Sequence, residues 1–174
     1  VGEKSKDKRK KILKIIKRGK IDIQFVTASE NVSWLLNIRG NDCDFSPLVR
    51  GYLIINKNNN VFFFCDTKKI NQKLRKQINN IKILNINYLE KFLLNIKGKN
   101  FKIDGLTCSI YFKNIIDKNN NITSLYDSTY LLKSIKNKTE IKNIKKSHIF
   151  DGAALTKFIF WIKKNFKNKK ITEI

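Results

Sequence analysis

Residues 30–55 read ENVSWLLNIRGNDCDFSPLVRGYLII and join two different secondary-structure patterns. The first half is typical of a helix that begins at Ser29 or Glu30 and ends at Arg39-Gly40, where Gly40 would be a left-handed C-cap. The second half is apolar and β-branched, which is typical of a strand. A helix followed by a strand predicts a domain of the α/β class.

The flanking sequence continues this alternation of helices and strands. The KNNN stretch between residues 50–56 and 61–65 is a hairpin turn signal, so both of these segments are predicted strands. Further strands are predicted at 21–28, 81–86, 101–104 and 121–126, and helices at 67–79, 88–96 and 108–116. Because short strands alternate closely with helices, we predict that residues 21–133 form a mixed β-sheet flanked by helices.

The two ends of the chain differ from this body. Residues 1–20 are basic and contain a short apolar edge, which predicts a connecting helix or linker that packs on the following domain. A membrane-surface or localisation segment is the alternative interpretation of this stretch. Residues 134–174 mostly follow a helical period and predict a long C-terminal helical segment, either one helix or two joined near Asp151-Gly152.

The formal charge of +23 comes mainly from lysine, because only five of the 37 basic residues are arginine. Specific nucleic-acid recognition favours arginine, whose planar guanidinium makes bidentate contacts. The lysines are instead scattered among asparagine and isoleucine, a composition that an AT-rich coding sequence would supply. We therefore predict a solvated lysine surface, no specific nucleic-acid partner, and adhesion to polyanions at low salt.

The remaining composition indicates a cytosolic protein without a membrane partner. The apolar runs are much shorter than the roughly 18 residues of a membrane span, and no secretory leader is recognisable. Cys43, Cys65 and Cys108 are odd in number and widely spaced, which indicates reduced, structural cysteines. The lack of methionine and the Val-Gly start suggest a segment of a longer protein.

Two segments together resemble a known family. In residues 30–55, WLLN, RG and Asp42 precede a proline and a strand; residues 133–162 read KSIKNKTEIKNIKKSHIFDGAALTKFIFWI. Their motifs, order and spacing are similar to those of the Xaa-Pro aminopeptidases (aminopeptidase P) of the creatinase/prolidase superfamily. The resemblance covers essentially residues 21–174.

The resemblance implies that the chain contains parts of two domains of a longer enzyme, each with a different role. Residues 21–133 would be a second creatinase-like, non-catalytic N-terminal domain, and residues 134–174 the first helices of a pita-bread metallopeptidase domain. The full-length enzyme would use two divalent ions, usually manganese, to activate a hydroxide that cleaves before proline in short peptides. It would be cytoplasmic, and a homodimer is left open.

The metal ligands of the family, two Asp, one His and two Glu, would all lie after Ile174. The residues themselves agree, because His148 is the only histidine and only Asp151 and Glu173 follow it among the acidic residues. We therefore expect no catalytic residue and no metal ligand in this chain, and an inactive fragment that shapes access to the active site.

Arg39, Asp42 and Trp34 are the candidate substrate-access residues. In the family this domain overhangs the mouth of the active site, where Arg39 could hold a peptide carboxylate. The structural alternative places Arg39 in the last helical turn, Asp42 in a turn or paired with Arg39, and Trp34 in the core.

Two functions of other classes are left open by the sequence. One is a stand-alone basic module that binds RNA or an acidic membrane, with affinity that survives near-physiological salt. The other is a superfamily relative that has lost catalysis and serves protein interaction. The presence or absence of the five metal ligands beyond residue 174 would distinguish an active enzyme from such a relative.

Overall fold

The computed structural model describes residues 2–172. Within this range the strands are β1 (Ile23–Val26), β2 (Gly51–Asn56), β3 (Val61–Cys65), β4 (Lys82–Asn85), β5 (Asn100–Ile103) and β6 (Asn121–Ser124). The helices are α1 (Ser5–Arg18), α2 (Ser29–Leu36), α3 (Gln72–Gln77), α4 (Leu89–Leu94), α5 (Ile110–Asp117), α6 (Ser128–Ser134) and α7 (Lys138–Asn165).

The strands form one mixed sheet in the order β4-β3-β2-β1-β5-β6. Strands β1, β2 and β3 pair antiparallel, with Phe25 opposite Ile54. The pairs β3–β4, β1–β5 and β5–β6 are parallel. The predicted α/β class, with a mixed sheet, flanking helices and a long C-terminal helix, is confirmed.

Alternate side chains of the central strands build two apolar layers, one on each face of the sheet. Leu53 and Ile55 of β2 join a cluster that includes residues of α1 and α2. Ile54, between them, joins the opposite cluster with Leu93 of α4 and Ile116 of α5. Because both faces are covered, β2 and β3 are apolar at nearly every position instead of alternating with polar residues.

Helix α1 packs its apolar edge on this body through the buried side chains of Ile12, Leu13 and Ile16. It belongs to the compact unit Glu3–Ile135, whereas Gly2 and residues 136–172 belong to a second unit. The predicted domain boundaries after residues 20 and 133 stay predictions.

Two helical details differ from the sequence prediction or resolve it. Helix α6 was not predicted, because its seven residues are too few to show a helical period; Asp127 caps it by accepting a hydrogen bond from the Thr129 amide. Helix α7 is one continuous helix rather than two, and it begins with a capping box of Asn137 and Glu140.

Candidate functional site

The end of α2 positions the first candidate region. The helix stops at Leu36, and Asn37 takes the left-handed conformation with φ 56° and ψ 39°. The prediction that Gly40 is the left-handed C-cap is therefore wrong. Asparagine tolerates this conformation, and here its side chain is also fixed: Nδ2 donates to the Glu3 carbonyl at 2.8 Å, and Oδ1 accepts from Lys8 Nζ at 2.7 Å.

Trp34 is held by packing within the domain. Its half-buried indole packs against the apolar cluster below α2. Lys8 Nζ lies 3.9 Å from the ring centroid and donates to the Trp34 carbonyl at 3.0 Å. The contacts that the structure shows for Trp34 are thus those of an anchor between α1 and α2.

Asp42 closes the loop that follows. Its Oδ2 accepts from the Arg50 amide at 2.9 Å, and its Oδ1 lies 2.5 Å from Lys69 Nζ. Its own amide donates to the Leu48 carbonyl at 3.3 Å. The Lys69 ammonium and the Arg50 amide hold the pKa of Asp42 below its usual value, although partial desolvation opposes them. Asp42 therefore pairs with Lys69 rather than with Arg39.

Several side chains of residues 39–50 are exposed: Arg39, Asn41, Asp44, Phe45, Pro47 and Arg50. Arg39 is exposed, and its Nη1 donates only to the neighbouring Ile38 carbonyl, at 2.9 Å, among the described residues. Phe45 is fully exposed at a positive φ of 58°, beside the isolated bridge between Cys43 and Ser46. A bulky residue at positive φ is uncommon. The sequence analysis missed Phe45, because only the backbone conformation shows that this aromatic projects outward.

Close packing at Gly40 supports this loop. A Cβ at Gly40 would lie 3.0 Å from the Leu48 carbonyl oxygen and 3.2 Å from a Val49 methyl group. The absence of a side chain therefore lets the two ends of the loop approach each other. The structure places Arg39 and Asp42 within residues 39–50, which we call the braced loop, and Arg39 and Phe45 are among its exposed side chains.

A second polar region lies near the carboxyl ends of β1, β5 and β6, where two buried carboxylates meet. Asp127 accepts from Gln24 Nε2 at 2.7 Å, from Asn31 Nδ2 at 2.8 Å and from the Thr129 amide at 2.9 Å. Asp104 accepts from the Asp127 amide at 3.0 Å. We call this set the Asp104–Asp127 cluster; it also contains Lys102.

The charge and burial of the cluster indicate a structural role. Lys102 donates to Ser128 Oγ. Burial lowers the pKa of Lys102, and the Asp127 and Asp104 carboxylates partly oppose that shift. Both oxygens of each carboxylate already accept hydrogen bonds from this chain. The cluster therefore ties β1, β5, α2 and α6 together through its carboxylate oxygens.

Two further contacts extend this tie between α2 and the segment around α6. Tyr130 Oη donates to Glu30 Oε1 at 2.8 Å, and burial together with that carboxylate raises the pKa of Tyr130 to about 12. Lys133 Nζ donates to Asn31 Oδ1 at 2.7 Å. Both contacts hold the start of α2 in position.

The described residues do not fit a two-metal centre. Within residues 2–172, no three His, Cys, Asp or Glu side chains converge on a point where a metal ion could bind. His148 is exposed on α7. The carboxylate oxygens of Asp104 and Asp127 already accept hydrogen bonds from this chain.

None of the helices in the described part of the chain is long and apolar enough to cross a bilayer.

Comparison with known proteins gives a matching family and related proteins. The Creatinase/Prolidase N-terminal domain family matches residues 1–140. Xaa-Pro aminopeptidase 1 of Dictyostelium discoideum is 32% identical over 176 residues, which cover 97% of this chain and 27% of that protein. The chain thus spans about 27% of the length of this curated relative.

Solved structures agree with the sequence relatives. The X-prolyl aminopeptidase of Caenorhabditis elegans, a cytosolic enzyme with a di-nuclear active site, matches with a TM-score of 0.87 at 26% identity over 99% of this chain and 29% of that one. An Xaa-Pro dipeptidase from Bacillus anthracis shares the fold, with a TM-score of 0.67 at 19% identity over 91% of this chain and 44% of that one. The predicted resemblance to Xaa-Pro aminopeptidases is confirmed, and the chain belongs to the creatinase/prolidase N-terminal domain family.

Proposed function

We propose that this chain is the non-catalytic N-terminal region of a metal-dependent Xaa-Pro aminopeptidase. The parent enzyme would be a cytosolic hydrolase that removes the residue preceding proline from short peptides. The observation that carries the proposal is the match to the C. elegans X-prolyl aminopeptidase, which extends over 99% of this chain at a TM-score of 0.87. Residues 21–133 would be the creatinase-like domain, and residues 134–174 would begin the catalytic domain.

The donor set of the described residues supports a non-catalytic role. No group of three metal-binding side chains converges among them, and the buried carboxylates bind the chain itself. In our proposal the di-nuclear centre, with manganese as its metal, is therefore held by other parts of the longer protein.

The apolar residues of α7 support its assignment to a further domain. Within the described residues, none of the α7 side chains is buried. Its exposed apolar residues are Ile141, Ile144, Ile149, Phe150, Leu155, Phe158, Ile159, Phe160 and Trp161. Apolar side chains in such number are typical of a surface that another part of a protein covers.

The braced loop is the part of this chain that we assign to controlling access to the active site. Arg39 and Phe45 are among its exposed side chains, whereas Asp42 and Trp34 hold it and its helix in place. An arginine can bind a peptide carboxylate through two parallel hydrogen bonds. We propose that Arg39 contacts short peptides at the active-site mouth and that Phe45 restricts larger ones.

The test uses the longer protein that contains this chain. With manganese present, we expect release of the first residue from Xaa-Pro peptides and little release from matched Xaa-Ala peptides. The Arg39→Ala change should raise KM for tripeptides several-fold with little change in kcat, because it removes a binding contact remote from the reacting bond. Arg75→Ala, which removes an exposed arginine of α3, is the matched control.

The enzyme assignment and the access role can each be overturned without the other. No preference for Xaa-Pro peptides would overturn the enzyme assignment. An unchanged KM in the Arg39→Ala enzyme would overturn the access role and leave the enzyme assignment intact.

A further inference from the structure

Arg9 of α1 is a buried cation with no carboxylate partner among the described residues. The side chain is 7% exposed, and its Nε is buried without a hydrogen-bond acceptor. Burial lowers the pKa of Arg9, and no acidic neighbour opposes that shift. A buried charge without a counterion is costly, so the position favours an anion from outside the chain.

Two adjoining cavities have Arg9 in their common wall. The first, of about 280 Å³, lies between the start of α1 and the connection from α3 to β4. The second, of about 320 Å³, extends toward Asn59 in the turn between β2 and β3. Both cavities are lined by Lys6, Arg9 and Asn80. We call the two together the Arg9 pocket.

The lining of the Arg9 pocket contains hydrogen-bond donors suited to an anion, next to the apolar Leu36, Ile78 and Ile81. Lys4 and Lys6 line the first cavity and Lys10 the second, and no Asp or Glu of the described chain lines either one. Asp7 lies 3.6 Å from Lys10, but both side chains are at least half exposed, so this pair neutralises little charge. The side-chain amides of the lining are Asn37, Gln77, Asn79, Asn80 and Asn59, of which Asn37 and Gln77 already donate to the backbone carbonyls of Glu3 and Asn37.

The backbone adds to this donor set. The first cavity is lined by Lys4, Ser5 and Lys6, which form the start of α1, a helix of 14 residues. The N-cap residue Lys4 provides no side-chain cap. The Asp7 amide donates to the Lys4 carbonyl, so the first-turn residues at the cavity are Ser5 and Lys6. With them lies the positive end of the helix dipole, an arrangement that favours phosphate and similar anions.

We propose that the Arg9 pocket is a binding site for a compact oxyanion of the phosphate class. The buried guanidinium supplies the counter-charge at the wall, the flanking lysines attract the ion, and the amides bind its oxygens. The site lies within the unit Glu3–Ile135 and does not depend on the proposed peptidase function.

The test compares two arginine variants of the same helix. Arg9→Met removes the buried guanidinium while keeping an unbranched side chain, and Arg18→Met makes the same change at an exposed position outside the pocket. Thermal unfolding is followed against inorganic phosphate, with sodium chloride at matched ionic strength. At ten times the dissociation constant, phosphate should raise the Tm of the wild type and of Arg18→Met by about 3–6 °C, and that of Arg9→Met by less than about 1 °C.

A direct readout keeps the test independent of stability. The Nε–Hε NMR signal of Arg9 should shift with phosphate and saturate, while the signal of Arg18 should follow ionic strength alone. Repeating the titration with O-phosphoserine shows whether the pocket takes the free ion or a phosphate carried on a larger molecule, and saturation by either supports the site. An equal Tm response in Arg9→Met, or an Arg9 signal that chloride shifts equally, overturns it.

Discussion

At the residue scale, Asp127 has the densest set of buried hydrogen bonds around one side chain among the described residues. Its carboxylate accepts from Gln24, Asn31 and the Thr129 amide, and it is 4% exposed. An aspartate in this position satisfies three donors at once, each of which would be costly to leave unpaired. The residue therefore connects β1, α2 and α6 through three hydrogen bonds.

Asp127→Ala should lower the free energy of unfolding by about 3 kcal/mol, because buried donors lose their acceptor. Asp127→Asn should cost less, since one oxygen remains to accept. The measurement is urea unfolding followed by circular dichroism. Asp117→Ala, at the exposed end of α5, serves as the control and should change stability little. An Asp127→Ala loss no greater than the control's would contradict the role given to the cluster.

Asp42 and Asp22 should make the fold sensitive to acid. Backbone amides and lysine partners hold the pKa of both carboxylates below the usual value. Since the folded-state pKa is the lower one, their contribution is present above the unfolded pKa of about 4 and is lost as pH falls through the folded pKa.

The acid branch of the stability curve checks this behaviour. Between about pH 5 and pH 2, Asp42→Asn and Asp22→Asn should each lose less stability than the wild type, because each lacks one of the depressed carboxylates. Asp44→Asn, at an exposed position, should follow the wild type. Parallel curves for all four proteins would show that these carboxylates do not contribute.

The sequence predicted the kind of interaction that individual residues make better than it predicted the residues with which they interact. A turn bond for Asp42 was foreseen as one alternative, whereas its pairing with Lys69 was not. Asn37, rather than Gly40, takes the left-handed conformation. Its side chain is held there by hydrogen bonds to Lys8 and Glu3, which lie 29 and 34 positions away in the sequence. Such distant contacts leave no local pattern in the sequence.

At the element scale, two glycines should respond in opposite directions to alanine. Gly152 lies inside α7, and a Cβ added there would meet no atom within 4 Å apart from its chain neighbours and the adjacent backbone of its own helix, whereas a Cβ at Gly51 would lie 2.7 Å from the Phe64 carbonyl oxygen. Gly152→Ala should therefore stabilise α7 by about 0.5–1 kcal/mol. Gly51→Ala should destabilise the sheet by about 2 kcal/mol.

Circular dichroism measures both substitutions. Gly152→Ala should raise the helical signal or its resistance to heating, and Gly51→Ala should lower the Tm of the whole β-sheet unit. A Gly152→Ala protein with reduced helix would contradict the continuous α7 of the structure.

Strands were the elements that the sequence predicted best. The predicted strands at 50–56 and 61–65 correspond to β2 and β3, because apolar runs bounded by an asparagine-rich turn have few other solutions. Helix α6 escaped prediction because its stability comes from the Asp127 cap and from contacts with α1 and α2 rather than from an apolar period. Short elements held by tertiary contacts are therefore the part of the fold that pattern alone does not reveal.

At the scale of the whole molecule, the charge of +23 should produce weak and salt-sensitive adhesion. We expect binding to RNA and to anionic vesicles at low salt and its loss near about 150 mM salt, where scattered surface charges are screened. Fluorescence anisotropy with labelled RNA and vesicle sedimentation measure the two cases. Binding that persists at that salt concentration would favour a stand-alone basic module.

The polar cluster shows why the candidate site was only partly predictable at this scale. Gln24 and Asp127 are 103 positions apart, and they meet because β1 and β5 are parallel neighbours with β6 beside them. The family motif in residues 30–55 predicted the loop that carries Arg39 and Asp42, since that segment is local in sequence. What this loop contacts in a longer enzyme is part of our proposal.

The most direct test of the central claim is a peptidase assay of the 174-residue chain itself. The chain is incubated with manganese and a fluorogenic Xaa-Pro peptide, with the longer protein assayed in parallel as the active reference. We predict no release of the first residue above the rate with manganese alone, and release by the longer protein that a chelator abolishes. Release by the shorter chain that a chelator abolishes and manganese restores would contradict the claim that this region is non-catalytic.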